Sequence, residues 1–143
     1  MYGLLLIASG LILAGCSKNF NDADTTKVTI GAEKYELEVA RSVDAQRKGL
    51  SGKKELDKNK GMLFIYDQSD YPQFWMKDTL VPLQLIFVDN CTIVEIKEMS
   101  VEKDPSKPEA IYKSGVKANK AIELNKGTLP ENSVGSKIKE LCD

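Results

Sequence analysis

Apolar positions along the chain fall in short clusters separated by turn residues. Val28-Thr29-Ile30 is followed by Gly31-Ala32-Glu33-Lys34 and then by Tyr35-Glu36-Leu37-Glu38-Val39, which alternates apolar and acidic side chains. Period-two alternation on both sides of a turn predicts a hairpin with one buried face. Ser42 is placed to cap a short helix over Val43–Lys48, and Gly49 to end it. Residues 61–66 (GMLFIY) form a continuous apolar run, the mark of a strand buried on both faces. Residues 73–76 and 83–88 make two more such runs, the second followed by an Asp89-Asn90 turn and a strand over 92–96. Residues 100–120 hold Pro105, Pro108 and many charges, and read as a long exposed loop with room for one short element. A strand over 121–124 ends in the turn Asn125-Lys126-Gly127. Residues 130–134 suit one helical turn with Pro130 at its first position, and 138–141 a closing edge strand. Seven or so short strands with turns between them predict a mainly β, small single-domain β-barrel or sandwich with one or two short helices.

The N-terminus has a different character. Residues 2–15 carry no charge, and the apolar run over 4–14 has the length of a signal-peptide core. It is too short to span a bilayer, which takes about 20 apolar residues. It ends in Leu13-Ala14-Gly15-Cys16, which resembles a bacterial lipoprotein signal, although Met1-Tyr2-Gly3 lacks the usual positive residues. The bland alternative is an N-terminal helix with a chance cysteine. The lipoprotein reading gives residues 1–15 as signal peptide, Cys16 as lipidation site, 16–27 as a flexible polar tether and 28–143 as the β domain. It implies a chain exported to the cell envelope and anchored to a membrane, the outer membrane where the host has one.

Composition narrows the chemistry. The 143 residues include 20 Lys+Arg, 21 Asp+Glu and no His. The formal net charge of -1 supplies no electrostatic footprint for nucleic acid. Without His there is no Ser-His-Asp triad, Cys-His pair, imidazole acid/base or imidazole metal ligand. With Cys16 lipidated, Cys91 and Cys142 remain. Two thiols cannot build a four-ligand zinc site alone, and an even pair in an oxidising compartment points to one disulfide. Two separate buried thiols are the alternative. No phosphate-binding loop or dinucleotide fingerprint is present, and no metal or cofactor is implied.

Three blocks carry a resemblance. The first joins Arg47-Lys48-Gly49-Leu50-Ser51-Gly52-Lys53 to Gly61-Met62-Leu63-Phe64. The second joins Phe74-Trp75-Met76-Lys77-Asp78-Thr79 to Pro82-Leu83. The third is Ala121-Ile122-Glu123-Leu124-Asn125-Lys126-Gly127. In this order and spacing they resemble the DUF192 family, small bacterial and archaeal proteins of unknown function, from about Val28 to Leu141. The resemblance implies a compact, mainly β fold and no particular activity. Gln84 and Ser136 stand where the family usually has Asp, and Ser51 and Lys53 where it usually has Met and Arg. A mechanism resting on those Asp carboxylates does not transfer to this chain.

Trp75, Lys77, Asp78 and Thr79, with Glu123 and Asn125, are the candidate ligand-binding residues. On a strand, Phe74 and Met76 point one way and Trp75 and Lys77 the other. Trp75 beside polar neighbours would make a platform for a sugar ring, a peptide or a flat ligand. The competing reading puts Phe74, Trp75 and Met76 in the core, with Lys77-Asp78-Thr79 as a plain turn. Glu123 lies between Ile122 and Leu124 and faces away from them. It is either a solvated outward residue or a partly buried, paired one facing Trp75 or Lys77. The reading leans away from an enzyme and towards a monomeric binding or interaction module, its partners the membrane and an envelope glycan or protein. A carboxylate-dependent hydrolase acting on glycan or peptidoglycan, using a pair among Asp67, Asp70, Asp78 and Glu123, is the rival. A structural envelope protein without ligand is the third reading.

Overall fold

The computed structural model describes residues 19–142. The signal-peptide and lipidation assignments over residues 1–18 lie outside the described residues. The chain forms β1 (Thr25–Ile30), β2 (Glu33–Ala40), α1 (Val43–Lys48), β3 (Lys60–Asp70), β4 (Gln73–Phe74), β5 (Leu83–Asp89), β6 (Thr92–Met99), β7 (Tyr112–Lys113) and β8 (Ala118–Asn125). Two 3-10 turns, Glu131–Ser133 and Lys139–Leu141, follow.

Six strands make one sheet in the order β1-β2-β3-β8-β5-β6, and β4 pairs with β7 in a separate ribbon. The large sheet is open, so of the two architectures expected the barrel is corrected and the layered, sandwich-like one fits. The β1–β2 hairpin turns at Gly31, whose φ of 63° lies in the left-handed region that glycine enters freely. β2 and β3 are parallel, because α1 carries the chain across between them. Ser42 caps α1 as expected, its side chain accepting from the Ala45 N–H, and Gly49 ends it.

Strand alternation divides the core into two clusters, one on each face of the sheet. Leu37, Val39, Leu63, Ile65, Ile86, Val88, Ile122 and Leu124 belong to the first, which Leu129, Ile138 and Leu141 help close. Met62, Phe64, Leu83, Leu85, Phe87 and Ala121 belong to the second, capped by Leu50, Phe74 and Met76. Both faces are therefore covered, which explains the unbroken apolar runs in β3 and β5.

Three expectations change. Residues 138–141 form no edge strand. Leu141 instead turns inward on a 3-10 bend, its N–H bonded to the Ile138 carbonyl, and is buried against the first cluster. Cys142 reaches Cys91 in a disulfide with Cα atoms 4.6 Å apart. Only Gln73 and Phe74 of the 73–76 run pair as a strand; the chain then bends at Asp78, with φ of 53°. The tether expected over 16–27 is shorter at its C-terminal end. Residues 25–27 are part of β1, the Ala23 N–H bonds to the Val39 carbonyl, and Phe20 packs on the core. Asp22 accepts from the Arg41 and Ser42 N–H groups at 2.6 and 2.9 Å.

Candidate functional site

A cavity of about 360 Å³ opens on the face of the sheet that carries the second cluster. Four local devices build its walls. The capped helix α1 ends at the cavity with Arg47 and Lys48, and Gly49 turns the chain so that Leu50 enters the core. The β4–β7 ribbon holds Phe74 edge-on to Phe64, with ring centroids 4.9 Å apart. The bend after β4 is tied by the Thr79 N–H to the Met76 carbonyl at 3.1 Å. The Gly52 N–H donates to the Asp78 carbonyl at 2.8 Å, fastening the loop after α1 to that bend.

Trp75 follows the end of β4 and is 46% exposed, whereas Phe74 is 8% and Met76 0% exposed. The Lys77 ammonium lies over the indole ring, 5.6 Å from its centroid. This half-open aromatic, with Lys77 and Thr79, lines the cavity. The Thr79 hydroxyl donates to the Lys77 carbonyl at 3.2 Å, so its donor is already engaged.

Glu123 lies at the floor of the same cavity and is 5% exposed. Its cross-strand neighbours are Met62 on β3 and Leu85 on β5, both buried. Among the described residues, no side chain or backbone donor bonds its carboxyl group. It is therefore neither the solvated residue nor the paired one that the strand pattern allowed. Burial among apolar neighbours pushes its pKa from 4.5 up to about 8, which keeps the carboxyl protonated at neutral pH. Tyr66 lines the cavity too; burial raises its pKa most, and the Glu123 charge raises it further.

Trp75, Lys77, Thr79 and Glu123 thus come together. Asp78 and Asn125 do not line the cavity. The Asp78 N–H bonds to the Pro105 carbonyl, and the Asn125 amide donates to the Leu56 and Asp57 carbonyls. The acids weighed for a catalytic pair also separate, since Asp67, Asp70 and Asp78 are not among the cavity's lining residues. Sequence reasoning did not single out Tyr66, Arg47 and Lys48 as site residues. Arg47 and Lys48 belong to the first family block, and Tyr66 ends the GMLFIY run. Only the tertiary fold, in which the Gln46 amide ties α1 to the Ile65 carbonyl of β3, shows that they share a cavity with Trp75.

Gln84 is buried on the opposite face. Its amide N–H donates to the Leu129 carbonyl at 2.9 Å and to Glu98, and its amide oxygen accepts from the Leu129 N–H at 2.8 Å. It clamps the segment after β8, a task that needs both a donor and an acceptor.

A family model for DUF192, described as "Uncharacterized ACR", matches residues 26–139. This chain belongs to the DUF192 family. All three blocks that carried the resemblance contribute lining residues to the one cavity. No functionally curated protein matches the chain significantly in sequence. Two solved structures are similar to it. One is a candidate transcription regulator from Sinorhizobium meliloti 1021, at 25% identity, with a TM-score of 0.66 over 77% of this chain and 87% of that one. The other is a protein of unknown function from Novosphingobium aromaticivorans DSM 12444, at 29% identity, with a TM-score of 0.61 over 72% and 73%.

Proposed function

We propose that this DUF192 chain is a ligand-binding module of the cell envelope, held at a membrane by lipid on Cys16, whose cavity takes a small ring-bodied ligand such as an envelope glycan unit. One observation carries the binding reading: a half-exposed Trp75 and a buried, unbonded Glu123 face a single cavity. Its volume of about 360 Å³ sits near the lower end of the roughly 300–1,000 Å³ typical of ligand pockets. The aromatic supplies a face for a ring, and Glu123 supplies a polar group for a hydroxyl or amide. The Cys91–Cys142 bridge supports an exported address, because disulfides persist in oxidising compartments.

The hydrolase reading has less support. Glycoside hydrolysis commonly takes two carboxylates flanking the bond, and Glu123 is the single acid lining this cavity among the described residues. The regulator description of the S. meliloti neighbour stays with that protein; a net charge of -1 gives this chain no excess of cations for a phosphate backbone.

Trp75 is the single tryptophan, so intrinsic fluorescence reads the site directly. Acrylamide should quench it, and titration with peptidoglycan-derived saccharides should shift its emission. An indole that acrylamide cannot reach would end the binding-site reading. Intact mass of the membrane-extracted native protein should show loss of residues 1–15 and a gain of acyl mass. A soluble, unprocessed product would end the anchored reading.

A further inference from the structure

The cavity's charge is unlike that of the whole chain. Arg47, Lys48 and Lys77 line it and are exposed, so they stand at its mouth. Among the described residues none of the three is ion-paired; the salt bridges join Arg41 to Asp67, Lys60 to Asp57 and Lys97 to Glu95. The single acid in the lining is Glu123, which burial keeps mainly protonated at neutral pH. At neutral pH the lining therefore carries three positive charges without an ion pair in a chain of net charge -1, and Asp44, one helical turn before Arg47 and Lys48, stands outside that lining. A concave site lined by one sign of charge concentrates ions of the other.

The polar inventory sharpens this. Gln46 also lines the cavity, but its amide N–H group is spent on the Arg41 and Ile65 carbonyls at 3.1 and 2.9 Å. The donors left are the cations at the mouth, the Trp75 indole N–H and the Gln73 amide beside them, and, at the floor, the Tyr66 hydroxyl and the Glu123 carboxyl. Between floor and mouth the walls are apolar, with Phe64, Phe74 and Leu50 inside and Val43, Trp75 and Ile111 at the rim. The cavity thus presents positive charge outside, an apolar and aromatic waist, and a neutral hydrogen-bonding floor.

We infer that the ligand of this cavity is an acidic sugar: one ring that packs on Trp75, a carboxylate that meets Arg47, Lys48 and Lys77, and a hydroxyl or amide that reaches Glu123. The inference rests on the ring-binding reading and adds the charge. Arg47 and Lys48, which make no ion pair, and Lys77, whose ammonium otherwise rests over the Trp75 ring, gain charge-assisted hydrogen bonds from a carboxylate. A neutral sugar leaves the three cations as they are.

Two probes separate the charge from the ring. N-acetylmuramic acid and N-acetylglucosamine share a ring and an acetamido group, and the first adds a carboxylate on a lactyl ether. Each is titrated into the full chain in detergent, with Trp75 emission as the readout, at low and high salt. The acid should bind about tenfold more tightly than the neutral sugar at low salt, and the ratio should shrink as salt rises. In a triply substituted chain, Arg47→Gln with Lys48→Gln and Lys77→Gln, the ratio should fall to about one. Equal affinities in the parent chain would overturn the acidic-sugar inference and leave the ring-binding reading standing. A preference for the acid that survives the triple substitution would overturn the assignment to these cations. No response to either sugar would overturn both readings together.

Discussion

The Tyr66 hydroxyl and the Glu123 carboxyl line one cavity from adjacent strands, and burial favours the protonated form of each. Neither group bonds the other. Their hydrogen-bonding capacity is directed to whatever enters, and the apolar residues Met62 and Leu85 on either side of Glu123 keep its charged form costly.

That cost makes stability depend on pH. The folded pKa of Glu123 is raised from 4.5 to about 8. Below pH 4.5 the carboxyl is mainly protonated in both states, and stability no longer varies with pH through this group. Between the two values the unfolded chain releases a proton that the folded chain keeps, so stability falls as pH rises, by about 1.4 kcal/mol per unit from this group. Above pH 8 the penalty is constant. Glu123→Gln removes the titration and keeps the shape. Urea unfolding across pH 5 to 8.5 should show a flatter profile for the variant and greater stability than the parent at the alkaline end. Parallel profiles would show that Glu123 does not carry the slope.

Trp75 and its neighbours should divide binding from stability. Trp75→Ala removes a half-exposed side chain and should change stability by about 1 kcal/mol or less. It should also abolish saccharide binding, read by calorimetry because the fluorophore is gone. Met76→Ala and Phe74→Ala empty buried sites and should each cost roughly 2–5 kcal/mol. A large stability loss in Trp75→Ala would place the indole in the core after all.

Much of this was legible in the residues. Period-two alternation marked the first hairpin, Ser42 and Gly49 marked both ends of α1, and the apolar runs marked β3 and β5. The two cysteines marked a pairing the structure contains. Three features were not legible. The C-terminal Ile138 and Leu141 read as a strand because both are apolar, yet the disulfide and the first core cluster draw them onto the sheet face as a 3-10 bend. Phe74 and Met76 read as one strand, but pairing stops at Phe74 and the chain turns at Asp78, which takes a positive φ. Glu123 read as solvated or paired because a charged residue in an apolar strand is usually one of these. Its actual state depends on the tertiary fold that encloses it in a cavity lined also by α1 and β4, which local pattern does not show.

The disulfide joins the end of the chain to the β5–β6 turn across a separation of 51 residues. Closing a loop of that length should stabilise the fold by about 4 kcal/mol in the chain-entropy picture. Cys91→Ser with Cys142→Ser should lower the urea midpoint accordingly. Reduction of the parent should move its midpoint to nearly the same value. If neither treatment moves the midpoint, the bridge is absent from the folded protein in solution.

Gly61 tests how closely the sheet holds the cavity floor. It pairs beside β8, and a Cβ built on it would collide with the Glu123 backbone carbonyl oxygen. The same atom would lie 2.7 Å from Leu124 Cδ2 and 3.1 Å from Leu37 Cδ2. The first obstacle is backbone, so no rotamer change relieves it. β3 and β8 must move apart at the residue that carries the floor carboxyl. Overpacking of this kind costs about 1–3 kcal/mol when side chains can adjust, and a backbone clash belongs at or above the top of that range. Gly61→Ala should therefore lower the melting temperature by about 10 °C or more. It should also shift Trp75 emission in whatever fraction stays folded, because the cavity wall moves. Gly115→Ala is the matched control: its Cβ would meet nothing closer than Glu95 Oε1 at 3.4 Å, on a flexible side chain. That variant should melt within a few degrees of the parent. Similar melting of the two variants would mean that β3 and β8 lie further apart at Glu123 than the structure places them.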